Sequence, residues 1–149
     1  ARRPRMSAFP PVAELLPQRP PMRLVDDILA ADDDAITCAA LVRADNLFVR
    51  DGRAPAATLL EYMAQAIAAH AGLGARARGE APAVGLIAAC RALELHAAEL
   101  VVGDRLEIAA ERGFVGPLTE YRARVVRRGE LLAEAVLHVA APAPENHAP

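Results

Sequence analysis

The chain has 149 residues, a mass of 15.8 kDa and a formal net charge of −2, and 54% of its residues are hydrophobic. This length is enough for one domain with its own core, and the hydrophobic content excludes a disordered chain. The 17 basic residues are all arginine and form no basic face, which argues against a nucleic-acid partner. No apolar run reaches the ~18 residues of a membrane span, so we expect a cytoplasmic protein without a membrane partner.

The first half of the chain predicts a short helix, a β-hairpin and one long helix. Residues 1–8 form a predicted flexible arm, and prolines confine the short helix over 12–16 to about a turn and a half. The patterns over 22–31 and 35–43 are typical of two hairpin strands joined by a charged turn. The longest helical pattern covers 55–71 and is expected to end near two glycines.

The second half predicts four strands, over 83–96, 104–113, 117–128 and 131–141. Their short connections favour an antiparallel meander. One long helix among six strands indicates an α+β fold, with residues 9–141 as a single domain and 142–149 as a frayed tail. Cys38 and Cys90 are too few for a disulfide framework or a metal site.

The long helix is apolar on nearly all faces, which predicts that it is buried. Its polar exceptions Thr58, Glu61 and Gln65 are spaced i, i+3, i+7 and share one stripe. A carboxylate there is costly to bury unless it is paired or borders a polar cavity, so Glu61 is a candidate general acid or base. Alternatively, Glu61 faces water along a helix edge. His70 points to the opposite side about 13 Å away and is expected to cap or pack.

Four short motifs occur in a fixed order along the chain. They are Leu-Leu-Pro-Gln-Arg-Pro-Pro-Met-Arg-Leu-Val-Asp over 15–26, Leu-Glu-Tyr-Met-Ala-Gln-Ala over 60–66, Val-Gly-Asp-Arg-Leu over 102–106 and Gly-Glu-x-x-Ala-Glu-Ala over 129–135. Together they resemble the β-hydroxyacyl-acyl-carrier-protein dehydratases, and Asp-Gly-Arg-Ala-Pro over 51–55 is most similar to the dehydratase-like proteins of aryl-polyene pathways. The resemblance implies the hotdog fold, a long central helix wrapped by a curved antiparallel sheet of about six strands.

The chain departs from the family's pattern in the loop before the long helix. The well-studied dehydratases carry a catalytic histidine there, in a Gly-His-Phe-Pro-Gly loop, and the corresponding residue here is Leu47. Phe48 keeps a family-like position, and Gln18 stands where the family often has histidine. Asp45 or Asp51 could replace the missing base, although a loop carboxylate is more often a turn former.

The resemblance implies dehydration of a 3-hydroxyacyl thioester to a 2-enoyl thioester, in fatty-acid or polyene synthesis, without a cofactor or a metal. The thioester would be carried by acyl carrier protein or coenzyme A. Glu61 is the expected catalytic residue, as the acid or as both acid and base. Backbone N–H groups at the helix start would stabilise the thioester oxygen, and Gln65 would orient the Glu61 carboxylate. The expected substrate-binding residues are Asn46, Phe48, Ala56, Ala57 and Gln65.

The resemblance also implies a dimer whose site lies at the interface between the two chains. A homodimer is the default, and a heterodimer with a histidine-bearing homologue would supply the missing base. Two other functions stay open. The chain could be a non-catalytic partner that stabilises an active dehydratase, or an acyl thioesterase in which Glu61 activates water.

Overall fold

The computed structural model of the chain describes residues 8–81 and 85–140. The predicted arm, except for Ala8, and the predicted tail over 142–149 lie outside these residues. Within them, no helix has the length and hydropathy needed to cross a bilayer.

The N-terminal half contains two strands, a third short strand, two 3₁₀ turns and the long helix. Its elements are a 3₁₀ turn at Val12–Glu14, β1 at Asp27–Ala31, β2 at Ala35–Leu41, β3 at Arg53–Pro55, a 3₁₀ turn at Ala56–Thr58 and α1 at Leu59–Ala77. The sequence predicted that the helix ends near Gly72 and Gly74, but α1 continues to Ala77. A Cβ at Gly72 would lie 2.9 Å from the Leu15 carbonyl oxygen, so this glycine lets α1 pack closely against the segment that carries Leu15.

The C-terminal half is made of strands. They are β4 at Leu86–Leu95, β5 at Glu99–Val101, β6 at Arg105–Arg112, β7 at Leu118–Arg127 and β8 at Glu130–Ala140. The main sheet is antiparallel with the order β1-β2-β6-β7-β8-β4, and β3 pairs with β5 in a second small sheet. The predicted four-strand meander is therefore wrong for β4, which pairs with β8 and not with β6. The chain leaves the main sheet at β5 to pair with β3 before β6 begins beside β2.

The core lies between α1 and the face of the sheet that the helix covers. Alternate residues of the central strands are buried, which is the period expected for a sheet with one covered face. The helix contributes Leu59, Tyr62 and Met63, all 0% exposed, and burial of a leucine or methionine side chain stabilises the fold by about 1.5–3 kcal/mol. Small residues opposite the helix, such as Ala110 and Ala123, let the two layers approach closely. This is the predicted α+β architecture.

The strand β4 differs from the other long strands because almost all of it is exposed. Within the described residues it pairs only with β8, so its second edge is open. Leu86, Ile87, Leu93 and Leu95 are between 39% and 64% exposed along this strand. A long, apolar, unpaired edge is a surface on which another chain can add a strand.

Candidate active site

The Glu61 carboxylate stands in the first turn of α1 and is held by Gln65 one turn later. Gln65 Nε2 donates to Glu61 Oε1 at 2.9 Å and to the Met22 carbonyl oxygen at 2.8 Å. Gln65 Oε1 accepts from the backbone N–H groups of Leu24 at 2.7 Å and Val25 at 3.3 Å. These four bonds use the whole capacity of an amide. The predicted hydrogen bond with Glu61 is present, and it leaves the Gln65 amide with no free donor or acceptor.

A cavity of about 970 Å³ extends along α1 from Glu61. Its apolar walls include Ala64, Ile67 and Ala68 from the helix and Val139 from β8. A smaller cavity of about 370 Å³ adjoins it and also contains Glu61. The carboxylate is partly buried and borders both cavities, so it does not face bulk water alone.

The two predicted oxyanion donors at the start of the helical segment, Ala56 and Ala57, differ in their surroundings. The Ala56 N–H group donates to the Ala98 carbonyl oxygen at 3.1 Å, so it is already occupied and our expectation for Ala56 is not met. Ala57 is exposed and lines the smaller cavity. Of the two residues, Ala57 is the one that lines a cavity, and its role as an oxyanion donor stays a prediction.

The loop that carries the catalytic histidine in the well-studied dehydratases is fixed to α1 by Asn46. Its Nδ2 donates to the Tyr62 hydroxyl at 3.0 Å, and its Oδ1 accepts from the Phe48 N–H at 2.8 Å. Asn46 is itself buried, with 7% of its surface exposed. Burial of the Tyr62 hydroxyl raises the pKa of that residue to about 12. Asn46 therefore holds the loop rather than facing a cavity. Phe48 lines the smaller cavity, whereas Leu47 is exposed and lines neither.

The two loop carboxylates act as turn residues or lie in solvent. Asp51 and Gly52 have φ angles of 53° and 77° between two residues, Arg50 and Arg53, that exchange backbone hydrogen bonds. This is the backbone of a tight hairpin turn, which Asp-Gly pairs favour. Asp45 is exposed and lines neither cavity. The described loop thus supplies no base to Glu61.

His70 lies at the far end of the larger cavity. Its Nε2 is 2.9 Å from the Asp32 carbonyl oxygen, and its Nδ1 is 2.7 Å from the Tyr121 hydroxyl. Because the carbonyl can only accept, Nε2 carries a proton and donates to it, and Nδ1 shares a hydrogen bond with the Tyr121 hydroxyl. His70 is 5% exposed and packs as predicted, tying α1 to the sheet. Burial also raises the pKa of Tyr121, so its hydroxyl stays protonated.

The sequence did not indicate one polar group in the larger cavity. Gln18 lines it, and the buried Oε1 atom of Gln18 has no hydrogen-bond partner among the described residues. A buried acceptor without a donor costs about 1–3 kcal/mol, which a donor on a bound molecule would offset. Its only sequence signal is its position, where the well-studied dehydratases often have histidine.

Glu61 has no second titratable side chain beside it in the described part of the chain. In the described part of the chain, the other titratable side chains lining the two cavities lie beside the C-terminal half of α1. They are Asp32, Asp33, His70, Arg78, Glu80, Arg112 and Tyr121. Both cavities reach Ile87 on the open edge strand β4.

A curved antiparallel sheet wrapped on one long helix defines a hotdog-fold protein. The sequence profile of the ApeP-like family, described as ApeP dehydratase, matches residues 10–148. The chain therefore belongs to the ApeP-like dehydratase family, and the predicted family and fold are confirmed. No curated protein matches the sequence significantly.

Solved structures agree with this assignment. The dehydratase heterocomplex ApeI:P from Xenorhabdus doucetiae is 25% identical, with a TM-score of 0.85 over 91% of this chain and 93% of that chain. A variant of the phenylacetic acid degradation protein PaaI from Thermus thermophilus is 30% identical, with a TM-score of 0.57 over 76% and 90%. A hypothetical thioesterase with coenzyme A from Streptococcus pneumoniae is 15% identical, with a TM-score of 0.61 over 78% and 84%, and shows the fold alone.

Proposed function

We propose that this chain is a subunit of a dehydratase for 3-hydroxyacyl thioesters, and that a histidine of a second, homologous subunit completes its site. The observation that carries the proposal is the position of Glu61. The carboxylate is oriented by Gln65, borders two cavities, and has no base beside it among the described residues. The similar X. doucetiae structure is a heterocomplex, which supports a paired arrangement here.

The reaction assigns one task to each group. The partner's imidazole removes a proton from C2 of the thioester, and Glu61 protonates the departing 3-hydroxyl group, so that water leaves and a 2,3 double bond forms. The Ala57 N–H group stabilises the negative charge that develops on the thioester oxygen. The larger cavity, with its small alanine side chains, holds the acyl chain. The thioester is carried by acyl carrier protein or coenzyme A, in fatty-acid or polyene synthesis.

The second subunit is expected to pair along β4. That strand exposes a row of apolar side chains and an unpaired backbone edge, and Ile87 on it lines both cavities. Pairing there would extend the sheet across the two chains and bury the apolar row. It would also bring a loop of the partner toward Glu61, which is the geometry that the missing base requires.

The test is product formation from 3-hydroxyacyl carrier protein, measured with the chain alone and with a co-purified histidine-bearing homologue. We expect 2-enoyl product from the pair, and its loss in Glu61→Gln. Glu107→Gln is the matched control because Glu107 is exposed on β6 and lines neither cavity. A pair that keeps its activity in Glu61→Gln would make this chain a non-catalytic stabilising partner. Release of free thiol without an enoyl product would instead indicate a thioesterase, because a lone carboxylate can activate water.

A further inference from the structure

We propose that Glu94, His96 and Glu134 form a binding site for a divalent transition-metal ion such as Zn²⁺. His96 Nε2 lies 3.7 Å from Glu94 Oε2 and 3.6 Å from Glu134 Oε1. One ligand atom from each of the three side chains falls within 4.8 Å of the other two. The site is separate from Glu61 and its cavities, and its partners come from the edge strand β4, its exit and the neighbouring strand β8.

The backbone explains why these three side chains meet. A bulge interrupts β4 between Arg91 and Glu94, with Ala92 at a φ of 52°. Bulges re-aim the side chains that follow them, and this one brings Glu94 into direct register with Glu134. The His96 N–H group then donates to the Leu132 carbonyl oxygen at 2.8 Å, which holds the imidazole beside both carboxylates.

The charge arrangement favours a cation. Two carboxylates directly opposite each other on paired strands repel and destabilise the pairing. Within the described residues, the charged group that pairs with either carboxylate is His96, and no arginine forms an ion pair with them. Arg124, in register with Glu134 on β7, makes no ion pair there. The three side chains are 41–60% exposed, so an ion can reach them from solvent.

The geometry suits a small tetrahedral ion. Bonds of about 2.0–2.2 Å to nitrogen and oxygen place the ligand atoms of tetrahedral zinc roughly 3.4 Å apart. Two of the three separations are 3.6 and 3.7 Å, and the third, between the two exposed glutamates, is within 4.8 Å. One imidazole with two carboxylates is a mixed nitrogen and oxygen set, which first-row transition ions accept and which leaves one position for water.

A bound ion would tie the end of β4 to β8 beyond the bulge. The sequence did not indicate this site, because Glu134 is far from the other two ligands along the chain and no motif joins them. The inference is independent of the proposed dehydratase chemistry, since no residue of the cluster lines either cavity.

The test is a calorimetric titration of the full chain, freed of any affinity tag, with Zn²⁺. We expect one ion per chain and a rise in the thermal midpoint. Removal of a ligand in His96→Gln or Glu134→Gln should abolish that rise and weaken binding by more than the roughly tenfold to hundredfold that loss of an outer partner costs.

Two control variants separate this site from other ligands. His138→Gln removes the imidazole of a comparable two-residue pair, since His138 Nε2 lies 3.4 Å from Glu120 Oε2. Cys90→Ser removes an exposed thiol on the same strand. Both variants should bind like the parent protein. The proposal is overturned if Zn²⁺ does not bind, if His96→Gln binds it unchanged, or if either control variant abolishes binding.

Discussion

The substitution Gln65→Met tests whether one buried amide fastens the N-terminal segment to α1. Methionine keeps the length and much of the volume of glutamine, but it leaves the Leu24 and Val25 N–H groups without an acceptor. Gln65 and Val25 are 0% exposed and Leu24 is 6% exposed, so water does not replace the lost bonds. Each buried donor left unpaired costs about 1–3 kcal/mol, and we expect a total loss of about 3 kcal/mol.

The assay is denaturant unfolding, with thermal unfolding as a second measurement. For a chain of this size, roughly 2–4 °C per kcal/mol converts the expected loss into a fall of about 6–12 °C in the thermal midpoint. The matched control is Gln18→Met, because the Gln18 Oε1 atom makes no hydrogen bond among the described residues and its removal breaks none. If Gln65→Met costs no more than Gln18→Met, the hydrogen bonds do not carry the stability that we assign to them.

Three further predictions follow from the contacts of the loop, the buried phenol and the edge strand. Asn46→Ala should lower the free energy of unfolding by about 1–3 kcal/mol, because it unpairs the Phe48 N–H and the Tyr62 hydroxyl. In the same unfolding assay, Asp45→Ala on the exposed loop surface should cost under about 0.5 kcal/mol. The pKa of Tyr62 is raised from 10.0 to about 12, so the unfolded chain loses this proton first and stability falls as pH rises between these values. Tyr62→Phe should lessen that fall in unfolding curves recorded from pH 9 to 12, and an unchanged slope would contradict it. Ile87→Arg on β4 should block association in sedimentation, whereas Leu29→Arg on β1, the opposite edge strand, should not.

The parts of the site that the sequence predicted are those set by local spacing. A separation of four residues on one helix places Glu61 and Gln65 side by side whatever the rest of the chain does, and their hydrogen bond is present. The burial of α1 and the packing of His70 also followed from residues within the helix. The resemblance supplied the hotdog architecture, which periodicity alone did not specify.

The parts that the sequence could not predict depend on contacts between distant segments. The sequence predicted a helix end near Gly72. The close contact of Gly72 with Leu15 joins segments that are far apart along the chain, so it leaves no local signal. The pairing of β3 with β5 joins two three-residue strands, which are too short to produce a periodic signal. That pairing redirects the chain and places β4 at the sheet edge. The occupation of the Ala56 N–H by Ala98 has the same origin.

The sequence also could not predict the cluster of Glu94, His96 and Glu134 on β4 and β8. His96 alternates with apolar residues, a pattern that favours packing, but it follows the edge strand β4 and its side chain is 41% exposed. Only the register between β4 and β8 brings Glu134 to it. A register between strands about forty residues apart cannot be read from either strand alone.

The most direct test of the central claim is the structure of the purified assembly, with the distance measured from the Glu61 carboxylate to the nearest imidazole nitrogen of the other subunit. Proton transfer to a shared substrate requires both groups within reach of it, so we expect an imidazole within about 4 Å of the carboxylate or of a molecule bound against it. Apolar side chains or open solvent in that position would contradict a dehydration site that is completed by a second chain.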